Sequence, residues 1–327
     1  MRTPDDEHAS RLGELPDRVI VIAGSHRSGT TLMHRMLAAS GAVETVTYLD
    51  VVEFPRLLDH HLRGRWDEVV AAWRTRMATF GPTRGIDEVP VGPLEPEEYG
   101  GVLRRSVVGI DGRRPYANLD FGPLLQLARK KRFLSAASGS PPRPLVLKNP
   151  VDTYDGVLRL DEVLPNATFL FVHRHPLAVL QSTVASWIHL LNEWNPWYAG
   201  LDRQYRRLHE IPGLLERART HAVGETAVRE VRDRIRTGME HFLEVERRLP
   251  RDRVVSVRYE DLCGDPDGAT SWVMDRLRLE GAIRPDVVAR RPMRVGDLVR
   301  RVHDESIASW RPYLDRLGYA DQPEGDR

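Results

Sequence analysis

The 327-residue chain predicts an α/β fold: a P-loop-like parallel sheet with helices on both faces, forming a single domain with helical insertions. Two observations lead there. Val19-Ile20-Val21-Ile22-Ala23 is a short apolar run that passes through a Gly/Ser turn, Gly24 to Gly29, into a segment whose apolar residues Leu32, Met36 and Leu37 have helical spacing. That is strand, tight loop, helix. Three more short, largely apolar runs, at 145–148, 168–172 and 254–258, each end in a polar turn and alternate with helical periodicity. Such strands belong to a parallel sheet covered by helices on both faces.

Each element follows from its local pattern. The first helix runs from about Thr30 to Ala39. Residues 45–55 mix extended and turn character and return the chain to the mouth of the first loop. Trp66, Val69, Val70, Trp73, Met77 and Phe80 give a helix over 66–80. Residues 81–101 are rich in Gly, Pro and acid, and read as a long surface loop, either a lid or a solvated connector. A helix covers 121–136, and 138–144 is a linker into the strand Leu145-Val146-Leu147-Lys148. Helix 154–164, strand 168–172 and helix 177–191 follow, the last with Pro176 in its first turn. Residues 192–213 hold Trp194, Trp197, Tyr198 and Tyr205 among prolines and charges. A long amphipathic helix spans 222–249, and a helix over 267–279 follows the strand 254–258. The domain is set at 18–318, with a flexible lead-in at 1–17 and a tail at 319–327.

Composition excludes several classes. A hydrophobic content of 41% is ordinary for a globular protein, and a net charge of +1 gives no global field for nucleic acid or an anionic membrane. One cysteine, Cys263, excludes a disulfide framework and a cysteine-rich metal site. No segment reaches the ~18 consecutive apolar residues of a membrane span. The charged N-terminus has no apolar signal core, so a cytoplasmic location is expected. The oligomeric state is not legible. The chain has three lysines, Lys130, Lys131 and Lys148, against an arginine-rich background, which makes Lys148 at a strand end conspicuous.

Ligands of such sheets bind at the carboxyl ends of the strands. Four strand ends carry polar residues: Gly24 to Thr31, Lys148 to Pro150, His173 to Ser182, and Arg258 to Asp261. The first loop presents backbone N–H groups and a helix N-terminus to one point, which is an anion site. Gly24 and Gly29 have P-loop spacing, but Thr30 stands where the P-loop lysine belongs. Arg27 is the cation inside the loop instead, and its fork can bind two oxygens of one tetrahedral anion. Ser25, His26, Ser28, Gly29, Thr30 and Thr31 complete the cradle.

Arg27-Ser28-Gly29-Thr30-Thr31-Leu32 resembles the 5′-phosphosulfate loop of the sulfotransferases that use 3′-phosphoadenosine 5′-phosphosulfate (PAPS). Arg174-His175-Pro176 with Ser182 resembles that family's Arg-x-Pro and Ser, which bind the 3′-phosphate. Leu147-Lys148-Asn149-Pro150 is similar to its strand ending in lysine. Arg258-Tyr259-Glu260-Asp261-Leu262 resembles its segment with a Tyr near the adenine, and Ser306 to Arg311 resembles its closing segment. The likeness implies a sulfotransferase domain with PAPS as donor, no metal, and in-line transfer to a small-molecule, glycan or lipid hydroxyl. Arg27 and Lys148 would stabilise the reacting group, and Arg174, Ser182 and Tyr259 would hold the nucleotide.

The departures are specific. Pro150 stands where the cytosolic sulfotransferases place a histidine base, and Arg27 where they have lysine; the arginine resembles the bacterial and tyrosylprotein branches. Those branches can draw their base from the segment after the first helix, which here offers Asp50 and Glu53, with Tyr48 nearby and His26 behind them. His173 and His175 read as packing or hydrogen-bonding residues at a strand end. The basic 3′-phosphate clamp before the final Trp is not matched, leaving Arg300, Arg301 and His303 as substitutes. Trp187, Trp194, Trp197 and Tyr198 offer either an acceptor wall or core packing. Two other functions fit the loop: an ATP-dependent P-loop kinase and a non-catalytic nucleotide-binding module.

Overall fold

The computed structural model describes residues 3–87, 89–103, 119–283 and 294–319. Among them one parallel sheet has the order β2-β3-β1-β4-β5, with β1 Val19–Ala23, β2 Glu44–Thr45, β3 Leu145–Lys148, β4 Ala167–His173 and β5 Val254–Arg258. The four expected strands are present. β2 is a fifth, two residues long, at the start of the segment read as mixed extended and turn. β1 pairs with β3 on one side and β4 on the other. The chain builds one flank after β1 and the other after β3, so the strand order reverses beside β1 and a crevice opens at its carboxyl end. Register places Lys148 opposite Ile22, Phe171 opposite Ala23, and Arg258 opposite His173.

Alternation along the strands divides the core by face. Val19, Val21, Leu145, Leu147, Phe169 and Phe171 pack with Leu124, Val157, Leu160 and Phe242. Ile20, Ile22, Val146, Leu170 and Val172 pack with Met33, Leu37, Val273 and Met274. Helix Glu225–Arg248 buries Val228, Val231, Ile235, Met239, Phe242 and Val245, an i, i+3, i+7 stripe, and lies against helices Asp152–Val163 and Pro176–Asn192. Most helices expected from sequence lie within two residues of their predicted ends, including Gly122–Ala137 and Pro176–Asn192. Residues 192–213 carry two short helices, Pro196–Leu201 and Arg203–Glu210. Among the described residues no helix is long and apolar enough to cross a membrane.

Two segments depart from expectation. The lead-in is anchored: Pro4–Arg11 forms a 3-10 helix, and its Asp5 is buried. Asp5 caps the backbone N–H groups of Leu58 and Asp59 at 3.0 and 2.9 Å and pairs with Lys130 at 2.8 Å. Those bonds to an ion-paired, buried carboxylate are what fix it. At the other end the fold runs through Tyr319, which is buried and donates to Glu260 at 2.8 Å. The rest of the predicted tail, 320–327, lies outside the described residues.

The acidic loop from Gly81 to Leu103 is stitched to the segment behind the first helix. Glu97 N–H donates to the Val46 carbonyl at 2.8 Å, and Tyr48 N–H to the Glu95 carbonyl at 3.0 Å. Tyr99 then anchors in the core, its hydroxyl 2.8 Å from the Asp152 carboxylate. Of the two readings left open, the lid and the solvated connector, this backbone fits a cover over the strand ends.

Candidate active site

The first loop is pressed against the end of β4 and the residue that follows β5. Gly24 has φ +151°, and a Cβ there would stand 2.5 Å from the Val172 carbonyl oxygen and 2.8 Å from Ser28 Oγ. Gly29 has φ +101°, and its Cβ would meet the Tyr259 ring at 2.6 Å. Arg27 itself sits in the left-handed region at φ 69°, which costs a non-glycine residue roughly 1–2 kcal/mol. Its contacts hold it there. Arg27 Nε donates to Ser182 Oγ at 3.2 Å, and its carbonyl accepts from Arg174 at 3.0 Å. The Arg174 guanidinium in turn lies 4.5 Å over the Tyr259 ring. Arg27, Arg174, Ser182 and Tyr259, drawn from the loop, the end of β4, the helix after it and the end of β5, thus form one contact chain. Ser28 is buried in the loop and its hydroxyl has no hydrogen-bond partner among the described residues.

Beside this cluster is a cavity of about 160 Å³, lined by Ser25, His26, Arg27, Thr30, Thr31 and Lys148 from the strand ends. Lys148 is buried, and its ammonium donates to Thr31 Oγ1 at 3.0 Å and to Glu98 Oε1 at 2.6 Å. Burial pushes the Glu98 carboxyl up, but the Lys148 charge and hydrogen bond outweigh it and hold Glu98 below the usual range. Sequence reading missed Glu98, which lies in the acidic loop with no periodicity to mark it. The same loop contributes Arg84 and Asp87 to the wall. Arg84 pairs with buried Glu97 at 2.8 Å, and Asp87 stands 3.8 Å from Arg27.

The far wall comes from helices. Trp187 and Tyr198 line the cavity, along with Tyr154 and Arg234, which sequence reading also missed. Trp197 is core, packed on Tyr48 and Phe80, and Trp194 is exposed. Trp187 and Tyr198 thus fit the wall reading, Trp197 the core-packing reading, and Trp194 neither. His26 Nδ1 lies 3.2 Å from the Tyr154 hydroxyl. Burial lowers the His26 pKa to about 4, against Glu98 and with help from Lys148, Arg234 and Arg27, so the ring is neutral at pH 7. Tyr154 is pushed up to about 12 by burial and stays a phenol.

Asp50 and Glu53, expected as bases, do not line this cavity. Asp50 is the N3 residue of a capping box: Thr47 N–H donates to its carboxylate at 2.8 Å, and Asp50 N–H donates back to Thr47 Oγ1 at 3.3 Å. Its remaining charge is met by Lys131 at 2.8 Å. The spacing Thr47-x-x-Asp50 signals that role in the sequence. Glu53 accepts from Trp73 Nε1 at 2.8 Å and stands 3.2 Å from His60 Nε2. Each carboxylate is committed to structure. Of the substitutes for the C-terminal clamp, Arg301 pairs with Glu225 at 2.7 Å and Arg300 is solvent-exposed. His303 is buried against His175 and Trp310. His173 lies between Phe171, Phe242 and Tyr313, as the packing reading has it.

The sequence profile of the sulfotransferase family matches residues 19–282, which include the loop, Lys148, the Arg174 motif and Tyr259. A search of curated proteins finds no significant match. Among solved structures the chain resembles the sulfotransferase STF9 of Mycobacterium avium, with a TM-score of 0.60 at 15% identity, covering 95% of this chain and 80% of that one. It also resembles the sulfotransferase STF1 of Mycobacterium tuberculosis H37Rv, with a TM-score of 0.55 at 18% identity, covering 97% of this chain and 79% of that one. At those identities the structures speak for the fold, and the family profile, which spans most of the chain and its strand-end motifs, speaks for the rest: the chain belongs to the sulfotransferase family.

Proposed function

We propose that this sulfotransferase takes its sulfuryl group from PAPS and passes it to an acceptor hydroxyl by in-line displacement. The observation that carries the reading is the contact chain Arg27–Ser182 and Arg27–Arg174–Tyr259. It puts two guanidiniums, a hydroxyl and an aromatic face beside a loop that lacks the lysine for a γ-phosphate. Arg174 and Ser182 would bind the 3′-phosphate, and Tyr259 would face the adenine. Ser25 to Thr31 would cradle the 5′-phosphosulfate, where the unpartnered Ser28 hydroxyl and the N–H groups of the first helical turn offer donors.

Arg27 and Lys148 would neutralise charge on the transferring group and on the oxygen it leaves. The acceptor oxygen forms the new S–O bond as the bond from sulfur to the 5′-phosphate breaks, releasing adenosine 3′,5′-bisphosphate. The acceptor proton goes to Glu98 rather than to Asp50 or Glu53. Glu98 faces the cavity, and it regains basicity once Lys148 turns from it to the donor, because its burial, the largest influence on it, then outweighs what remains from His26 and Arg84. The fixed cations do the work that Mg²⁺ does for a kinase, so turnover should survive EDTA. The acceptor belongs to the small-molecule, glycan or lipid hydroxyls.

Thermal unfolding with adenosine 3′,5′-bisphosphate and with Mg-ATP tests the donor. A ligand at about 100 times its dissociation constant adds about 2.7 kcal/mol. A rise with the bisphosphate supports the reading. No rise with it, beside a clear one with Mg-ATP, overturns the reading in favour of a kinase.

A further inference from the structure

The cations that line the cavity can be matched against its carboxylates. Arg84 faces Glu97 at 2.8 Å, Lys148 faces Glu98 at 2.6 Å, and Arg27 faces Asp87 at 3.8 Å. Arg234 also lines the cavity, yet among the described residues no carboxylate lies within ion-pair distance of it. Its neighbours on the same helix do have such partners: Arg232 pairs with Asp233 at 2.9 Å, Arg229 with Glu225 at 2.6 Å, and Arg236 with Asp233 at 3.5 Å. The Arg234 guanidinium instead stands 5.2 Å over the ring of Trp187, a wall residue. A guanidinium resting on a ring face keeps its planar N–H fork for an anion. Arg234 is half-buried, so its charge is only partly met by water, and it adds to the lowering of His26 and opposes the burial-driven rise of Tyr154. The donor would engage Arg27 and Lys148, which leaves Arg234 for the other substrate.

We propose that Arg234 binds a carboxylate on the acceptor, so that the substrate class is a hydroxy acid whose apolar body lies against Trp187, Ile86 and Leu190. This rests on the donor reading only for which side of the cavity the acceptor occupies. The fork–fork pair would fix the acceptor's orientation and aim its hydroxyl at Glu98 and the loop.

The test measures dissociation constants for three probes of one shape, 4-hydroxyphenylacetate, 4-ethylphenol and tyramine, with and without adenosine 3′,5′-bisphosphate. The hydroxy acid should bind at least about tenfold more tightly than the neutral phenol, as expected of a charged hydrogen-bonded contact, and the amine least tightly. Arg234→Gln should abolish that order, and Arg234→Lys should keep part of it, while the bisphosphate still raises the melting temperature of both variants. Equal binding of the three probes, no binding of any, or an order that survives Arg234→Gln overturns the proposal. Loss of the bisphosphate shift in Arg234→Gln also overturns it, because Arg234 would then belong to the donor. A wild-type protein that ignores the bisphosphate but keeps the probe order sinks the donor reading alone.

Discussion

Glu98 Oε1 lies 2.6 Å from the Lys148 ammonium, which ties an acidic surface loop to the end of a buried strand and puts a carboxylate in the wall of the cavity beside the first loop. The two charges neutralise each other in this pair. Lys148 has a second partner in Thr31 at 3.0 Å, so it can turn toward the loop without leaving the hydrogen-bonded network. On the proposed mechanism the two groups would then separate for opposite tasks, Lys148 toward the leaving oxygen and Glu98 toward the attacking one.

Glu98→Gln should therefore lower kcat by about 10²- to 10⁴-fold, the usual contribution of a positioned general base, with bisphosphate binding retained. Glu98→Asp should recover part of the rate. The acidic limb of the kcat profile should lie above that of kcat/KM, because Lys148 depresses Glu98 in the free enzyme and is drawn away in the loaded one. Full activity of Glu98→Gln would return the search for the base to other residues.

Arg174→Ala should remove most of the bisphosphate shift. The guanidinium contributes a charge-assisted contact of about 1.5–3 kcal/mol, so the bisphosphate should bind about 10- to 100-fold less tightly. The same change frees the Arg27 carbonyl and uncovers Tyr259, so calorimetry should also show a smaller enthalpy of binding. Adenosine 5′-phosphosulfate, which lacks the 3′-phosphate, should lose much less affinity. Equal losses for the two nucleotides would place Arg174 away from the 3′-phosphate.

The sheet and the polar residues at its strand ends were legible in the sequence because their signals are short-range. Apolar runs mark β1, β3, β4 and β5, and each ends in polar residues whose convergence follows from parallel topology. β2 was not legible, since two residues carry no period. The carboxylate that lines the cavity was missed for a related reason. Asp50 is near the loop in sequence, but Thr47 and Lys131 claim its oxygens. Glu98 reaches the site only through the antiparallel bridge of Pro96 to Thr47 and the anchoring of Tyr99 on Asp152, and those are tertiary facts. Arg234 lies among many arginines on one amphipathic helix, and only packing shows which of them lines the cavity with no carboxylate beside it.

Gly29→Ala should destabilise the protein and weaken nucleotide binding together. The left-handed backbone alone costs a side chain roughly 1–2 kcal/mol, and Gly41→Ala isolates that term, because Gly41 has φ +69° with open space around it. The excess loss at Gly29 reads the collision with Tyr259, where the added Cβ falls 2.6 Å from the ring. Adding Tyr259→Ala to Gly29→Ala should recover part of the excess stability without restoring bisphosphate affinity. Equal melting temperatures for Gly29→Ala and Gly41→Ala would mean that the loop shifts freely off the ring.

Stability should fall as pH drops below the histidine range, and His34 should carry part of the fall. His34 is buried on the first helix, and its Nε2 has no hydrogen-bond partner among the described residues. Burial lowers its pKa to about 3, helped by Lys148 and Arg84, and His173 is held at about 3 and His241 at about 4, chiefly by burial. In the unfolded chain each returns to about 6.5. The unfolded state thus binds more protons between pH 6.5 and the folded values, so stability is complete above that window and is lost through it as pH falls. Each histidine contributes up to about 1.4 kcal/mol per pH unit there. Denaturant unfolding at pH 7.5 and pH 5.0 should show the wild type losing more stability than His34→Leu, which keeps the apolar contacts and removes the proton site. An identical loss in the two proteins would mean that His34 is protonated as readily in the fold as outside it.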